Sequence, residues 1–111
     1  MLPETDIHRV RRWAERKVLA NLRDKIRMEI DASPTAVTIF ECRPPWDSPE
    51  SGEWTRSPIA RLRYTQSKRS WSLYWSDQHL KFHRYEFAAP TQSVDRLLKE
   101  IDADPTALFW G

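Results

Sequence analysis

The chain has 111 residues, the size of one domain, and 40% of them are apolar, with six Trp, four Phe and three Tyr. Aromatic side chains in this number can close a core without a metal ion, and a single cysteine, Cys42, excludes an internal disulfide. The net charge of +2 is too small to indicate nucleic acid by itself, and no secretory leader or long apolar run is found, so we expect a cytoplasmic protein with no membrane partner.

A helix is predicted near each end of the chain. Residues 4–20 and residues 92–102 both place apolar side chains three or four positions apart, which is the period of an amphipathic helix. The two apolar stripes consist of Ile7, Val10, Trp13, Ala14 and Val18 in the first helix and of Val94, Leu97, Leu98 and Ile101 in the second.

Between the helices the apolar period changes to two, which predicts strands. We expect them at residues 26–30, 37–42, 54–64, 71–75 and 82–87, with a bulge or an edge irregularity at Pro58. Short turns between successive strands favour an antiparallel meander. The sequence therefore predicts one α+β domain over residues 1–111, ordered αβββββα, with a sheet of four to five strands. Its expected core includes Val10, Trp13, Val18, Ile39, Leu62, Leu73, Leu97 and Ile101.

Three segments carry a family resemblance. Residues 40–64 contain F-E-C-R-P-P-W followed by G-E-W-T-R-S-P-I-A-R-L-R-Y, residues 71–75 read W-S-L-Y-W, and residues 101–111 read I-D-A-D-P-T-A-L-F-W-G. Together they resemble the DUF3024 family, a group of short bacterial proteins with no assigned function. The resemblance implies a free-standing bacterial domain and brings no catalytic role. Cys42 stands where the family pattern implies an arginine, which argues against a common role for the thiol.

No catalytic or metal site is indicated. His79 and His83 have a spacing that would align two ligands on a helix, but here they fall on a turn and a strand, where it has no such meaning. A zinc site needs three or four ligands, and only His8 and Cys42 remain as candidates. We expect Cys42 to be an unreactive core thiol and Asp104 to be a cap. The sequence thus predicts a non-enzymatic protein without a cofactor or metal.

The loop at residues 44–53, PPWDSPESGE, is flanked by tryptophan and arginine. Arg43, Trp46, Trp54 and Arg56 are of the two residue types that most often anchor protein interfaces. The same four side chains could instead hold the loop to the domain, with the indoles packed below it and the arginines bonded to its carboxylates. A protein-interaction module is therefore the alternative functional hypothesis.

Charge is segregated along the chain. Residues 1–27 carry eight basic and four acidic side chains, residues 28–53 carry one and six, and residues 54–87 carry seven and two. Both positive segments present regularly spaced cations, because helical spacing aligns Arg9, Arg12 and Arg16 and strand alternation pairs Arg61 with Arg63 and Lys81 with His83.

If the two strand pairs share one face of the sheet, they form a positive surface with an aromatic side chain, which suits phosphate contacts and base stacking. A solvated or helix-covered face is the other interpretation. The leading hypothesis is a binding module for RNA or a ribonucleoprotein that uses Arg61, Arg63, Lys81 and His83, assisted by Arg9, Arg12 and Arg16.

Overall fold

The computed structural model describes residues 1–18, 22, 24–45 and 52–111. A helix comes first, five strands follow, and a second helix precedes the last turns of the chain. All neighbouring strands are antiparallel, and their order in the sheet equals their order in the chain, so the predicted α+β meander is confirmed. The elements are α1 (Glu4–Arg16), β1 (Arg27–Ala32), β2 (Ala36–Arg43), β3 (Thr55–Thr65), β4 (Ser70–Ser76), β5 (Phe82–Arg84) and α2 (Val94–Ala103).

One face of the sheet forms the core with both helices. Val37, Leu62 and Leu73 lie side by side across β2, β3 and β4, and none of them is exposed. Side chains of α1 and α2 pack onto this row, so the apolar stripes of the helices meet the apolar alternation of the strands. Of the eight predicted core residues seven are buried, and Trp13 is half-buried because its indole Nε1–H donates to Asp102 at the surface, 3.0 Å away.

A bulge in β3 sets which of its side chains share a face. Ile39 of β2 pairs with Ala60, whereas Phe40 pairs with Pro58, so Ile59 is an extra residue in β3. Pro58 has no N–H to donate to a ladder, which favours an irregularity here. Arg56 and Arg61 are five positions apart and would lie on opposite faces of a regular strand, but the extra residue brings them to the same face.

The ends of several elements differ from the predicted ones. Helix α1 ends at Arg16 rather than at residue 20, and residues 19–20 lie outside the described part of the chain. Strand β5 ends at Arg84 rather than at residue 87, because Tyr85 turns into the core, where its hydroxyl donates to Glu100 of α2 at 2.7 Å. The predicted cap Asp104 follows α2 with a φ of 43° and accepts hydrogen bonds from two later backbone N–H groups.

The buried row formed by Val37, Leu62 and Leu73 predicts that truncating one of these side chains strongly destabilises the fold. We expect Leu62→Ala to lower the free energy of unfolding by about 2–5 kcal/mol, because it leaves a cavity beneath both helices. Urea denaturation followed by tryptophan fluorescence measures the change. The control Leu80→Ala removes the same atoms from a side chain that is 65% exposed and should change stability by no more than about 0.5 kcal/mol. Equal effects of the two substitutions would contradict the assignment of the core.

Candidate functional site

The sheet face opposite the helices, here called the open face, is rich in arginine. Strand alternation and the β3 bulge place side chains from all five strands on it. Two carboxylates lie among them, both on the edge strand β1. The open face consists of Arg27, Glu29, Asp31, Thr38, Phe40, Cys42, Arg56, Arg61, Arg63, Ser72, Tyr74, Ser76, Phe82 and Arg84.

The two carboxylates of the open face are held by one guanidinium. Arg56 lies 3.3 Å from Glu29 and 3.0 Å from Asp31, and it stacks over the ring of Phe40 at 4.1 Å. All three charged side chains are well exposed, so the ion pairs contribute little to stability. Their effect is to offset part of the negative charge that the open face carries at its β1 edge.

A second guanidinium is fixed at the centre of the open face. The Nε–H of Arg61 donates to the hydroxyl of Thr38 at 2.9 Å, and its guanidinium stacks over the ring of Phe82 at 4.0 Å. Thr38 is only 7% exposed, because the arginine stem lies over it. These two contacts order the Arg61 side chain in advance, so a ligand that binds it has a smaller cost of side-chain ordering to overcome.

Two further arginines of the open face flank Arg61. Arg63 and Arg84 are exposed, and no described side chain bonds to either. Arg84 lies in the same cross-strand row as Arg61, with the half-buried Tyr74 between them. Beside this row a concavity of about 440 Å³ is lined by Arg61, Arg63, Thr38 and Phe40, among others. The geometry thus presents three cations, one aromatic ring and a shallow depression on one surface.

The structure does not bring all the predicted nucleic-acid residues together. Arg61 and Arg63 share the open face, but His83 pairs across the sheet with Trp75, which pairs with Ala60 on the helix-covered face. Lys81 precedes β5, and its backbone N–H bonds to the Asp77 carboxylate. His83 therefore lies on the face opposite Arg61 and Arg63, because the register of β5 turns Arg84, not His83, to the open face. The condition that the two pairs share one face of the sheet is not met, and Lys81 lies outside the strand.

The arginines of α1 lie on the helical side of the molecule. Arg9, Arg12 and Arg16 line a groove between α1 and α2, and Arg9 forms an ion pair with Asp95 at 3.1 Å. The sheet separates this groove from Arg61 and Arg63. Helical spacing therefore aligns the three side chains as predicted. A ligand that contacts only the open face cannot reach them, because they lie on the other side of the sheet.

The loop residues proposed for protein binding are partly engaged within the domain. Trp54 is half-buried beside the guanidinium of Arg27, 4.1 Å from its ring centre, and Arg43 bonds to Glu41 of its own strand at 2.8 Å. Arg56 bonds to Glu29 and Asp31 of β1. The loop residues 46–51, which include the carboxylates of Asp47 and Glu50, lie outside the described part of the chain, so the expected bonds to these carboxylates stay a prediction. Trp46 lies outside the described residues.

Cys42 also faces the open side, but Arg56 and neighbouring strands bury it completely. Burial raises the pKa of the thiol, and the Glu29 carboxylate raises it further. Within the described ranges no three histidine, cysteine, aspartate or glutamate side chains are grouped closely enough to hold a metal ion. No helix in these ranges is long and apolar enough to cross a bilayer.

The fold and the open face define a class of small α+β protein, in which two helices cover one side of a five-stranded meander and arginines line the other. The chain matches the family model described as Domain of unknown function (DUF3024) over residues 2–111, so it belongs to that family. Comparison with curated proteins and with solved structures gave no match.

The environment of Cys42 predicts that its thiol reacts slowly in the folded protein. At pH 8 the native protein should react with a thiol reagent far more slowly than the urea-unfolded protein, because the thiol is buried and its pKa is raised. Absorbance of the released reagent measures both rates. In the control Cys42→Ser/Ala103→Cys the new thiol is at an exposed position and should react at once. A native Cys42 that reacts as fast as this control would contradict its burial.

The hydrogen bonds in the turn before β5 predict a low pKa for the Asp77 carboxyl group. The hydrogen bond from His83 Nε2 at 2.7 Å, together with the backbone N–H groups of Lys81 and His79, lowers the pKa of Asp77 from 3.8 to about 2. Because the folded-state pKa is the lower one, the ionised carboxylate stabilises the fold above about pH 4, and this contribution is lost as the pH falls through about 2.

Carboxyl ¹³C chemical shifts, followed by NMR against pH, measure this value directly. The variant His83→Phe keeps a ring against Trp75, whose centre is 4.8 Å from that of the imidazole, but removes the donor. In this variant we expect the pKa of Asp77 to rise toward its ordinary value. A wild-type carboxyl group that already titrates near 3.8 would show that the hydrogen bond does not form.

Proposed function

We propose that the open face binds single-stranded RNA, and that the protein is a non-enzymatic binding module of the bacterial cytoplasm. The observation that carries the proposal is the set formed by Arg61, Arg63 and Arg84 around Tyr74 on a sheet face opposite both helices. The family description and the comparisons neither favour nor oppose this function.

The chemistry of the three arginines suits a phosphate backbone. A guanidinium offers a planar fork of donors that matches two phosphate oxygens, and it stays charged at every physiological pH. Arg61 is held in place by Thr38 and Phe82, whereas no side chain in the described part of the chain bonds to Arg63 or Arg84, so both can adjust to the ligand. This combination of one fixed and two adjustable cations supports contacts with successive phosphates.

Tyr74 supplies the feature that distinguishes a nucleic acid from a simple polyanion. Its ring lies in the cross-strand row between Arg61 and Arg84, where a base that has left its stack can lie against it. Base–aromatic stacking contributes about 1–3 kcal/mol per base and tolerates any sequence. Unstacked bases occur in single strands and loops, which favours these over a regular duplex.

The protein-interaction hypothesis stays a prediction with less support. Of its four residues Arg43 and Arg56 are bonded to carboxylates and Trp54 is stacked with Arg27, so these side chains would have to exchange partners on binding. Exchange of partners reduces the net gain from a new contact.

The test is a titration of fluorescent single-stranded RNA at several salt concentrations. Arg63→Gln/Arg84→Gln should weaken binding by about tenfold or more and should flatten the slope of log affinity against log salt by about 0.7 for each lost phosphate contact. Neither side chain has a partner among the described residues, so the fold should be unaffected.

The matched control is Arg11→Gln/Arg96→Gln, which removes the same charge from exposed positions of the two helices. It should bind RNA nearly as well as the wild type. Absence of binding at low salt, or an equal loss in both double variants, would overturn the proposal, because the arginines of the open face would then have no special role.

A further inference from the structure

The groove between the two helices is a second cationic site, separate from the open face. Helices α1 and α2 run parallel, since Arg9 bonds to Asp95 near their starts and both Trp13 and Lys17 bond to Asp102 near their ends. The two bridges hold the helices together at levels about two turns apart. A cavity of about 650 Å³ lies between them.

Three cations of the groove have no ion-pair partner among the residues that the structure describes. Arg12 and Arg16 of α1 and Lys99 of α2 all line the cavity, and no described side chain bonds to any of them. The only carboxylates in the lining, Asp95 and Asp102, are already engaged by Arg9 and Lys17. Three like charges that line one groove repel each other, and an anion bound between them would remove this repulsion.

The floor of the groove is apolar. Leu98 is 3% exposed and belongs to the core, and the half-buried indole of Trp13 is fixed by its hydrogen bond to Asp102. Lys17 lies 5.3 Å from the centre of the Trp13 ring and 5.7 Å from that of Trp110, so its charge is directed to the indoles and Asp102 rather than to the centre of the groove. The unpaired charge therefore comes from the other three cations alone.

We propose that this groove binds a phosphate-bearing ligand, with the phosphate between Arg12, Arg16 and Lys99 and the rest of the molecule against Trp13 and Leu98. Two guanidinium forks and an ammonium group match the several oxygens of a phosphate better than the two oxygens of one carboxylate. The volume falls in the range of small-molecule sites, about 300–1,000 Å³. The site is independent of the RNA function proposed for the open face.

The test is a titration with inorganic pyrophosphate, followed by ¹H–¹⁵N NMR. The Nε1–H signal of Trp13 is the readout, because this group lies in the groove lining; Trp13→Phe assigns the signal. We expect a saturable shift of this signal in the wild type. Arg12→Gln/Lys99→Gln should weaken pyrophosphate binding at least about tenfold, since it removes two of the three phosphate donors.

The matched control is again Arg11→Gln/Arg96→Gln, which removes two exposed charges from the same helices but none from the groove lining. It should retain the wild-type affinity for pyrophosphate. Absence of a saturable shift at low ionic strength, or an equal loss of affinity in the two double variants, would overturn the proposal. The variant Arg63→Gln/Arg84→Gln should bind pyrophosphate normally, so failure of the RNA proposal leaves this result unchanged.

Competition then identifies the source of the phosphate. If a single-stranded RNA displaces pyrophosphate from the wild type and from Arg63→Gln/Arg84→Gln alike, the groove binds nucleic-acid phosphate. If a nucleoside triphosphate displaces it and the RNA does not, the ligand is a small phosphorylated molecule. Both results support a phosphate site in the groove and differ only in the molecule that carries the phosphate.

Discussion

A two-helix layer can cover only one face of this sheet. Five strands about 4.8 Å apart make a sheet about 20 Å wide, and two helices, each about 10 Å in diameter, span that width once. Helices α1 and α2 are both used on the face that carries Leu62 and Leu73. The other face of the sheet has to be compatible with water through its own side chains, and this requirement determines its composition.

Arginine meets this requirement in a particular way. Its aliphatic stem and guanidinium plane can lie over an aromatic ring while the N–H groups reach water. Within the described ranges, three arginine–aromatic pairs occur on this side of the sheet. They are Arg27 with Trp54, Arg56 with Phe40, and Arg61 with Phe82. These three arginines therefore have a structural role on the open face, whether or not they also bind a ligand. Arg63 and Arg84 have no such pair among the described residues, so their exposed guanidinium groups keep the face compatible with water and remain accessible to a ligand.

Aromatic donors fix the helices onto the sheet and give several carboxylates a structural role. The indole of Trp71 donates to Asp6 of α1 at 2.9 Å, and the hydroxyl of Tyr85 donates to Glu100 of α2. Tyr85 and Trp71 are fully buried, so an unpaired donor in either would be costly. A carboxylate used in this way has a structural role, because it holds a helix to the sheet through a buried aromatic donor.

The elements could be predicted from the sequence, whereas the face of each polar side chain on β5 could not. The change of apolar period marks both helices and all five strands, because burial on one side imposes it. The face of His83 and Arg84 depends on the turn from Asp77 to Lys81, in which Leu80 has a φ of 64°. Leucine is not among the residues that typically indicate such a turn, so the sequence does not define how β5 pairs with β4. A shift of one position in this pairing would place His83 on the open face in place of Arg84. By contrast, the bulge beside Pro58 has a recognisable cause in the missing N–H of proline.

The separation of charge along the chain becomes a separation of sides in the fold. The positive N-terminal segment supplies the helical groove through Arg12 and Arg16, and the positive segment of β3 to β5 supplies the open face. The acidic segment between them supplies Glu29 and Asp31, which Arg56 neutralises at the β1 edge. The sheet lies between the two cationic surfaces, so a ligand held by one surface can contact the other only by passing around an edge of the sheet.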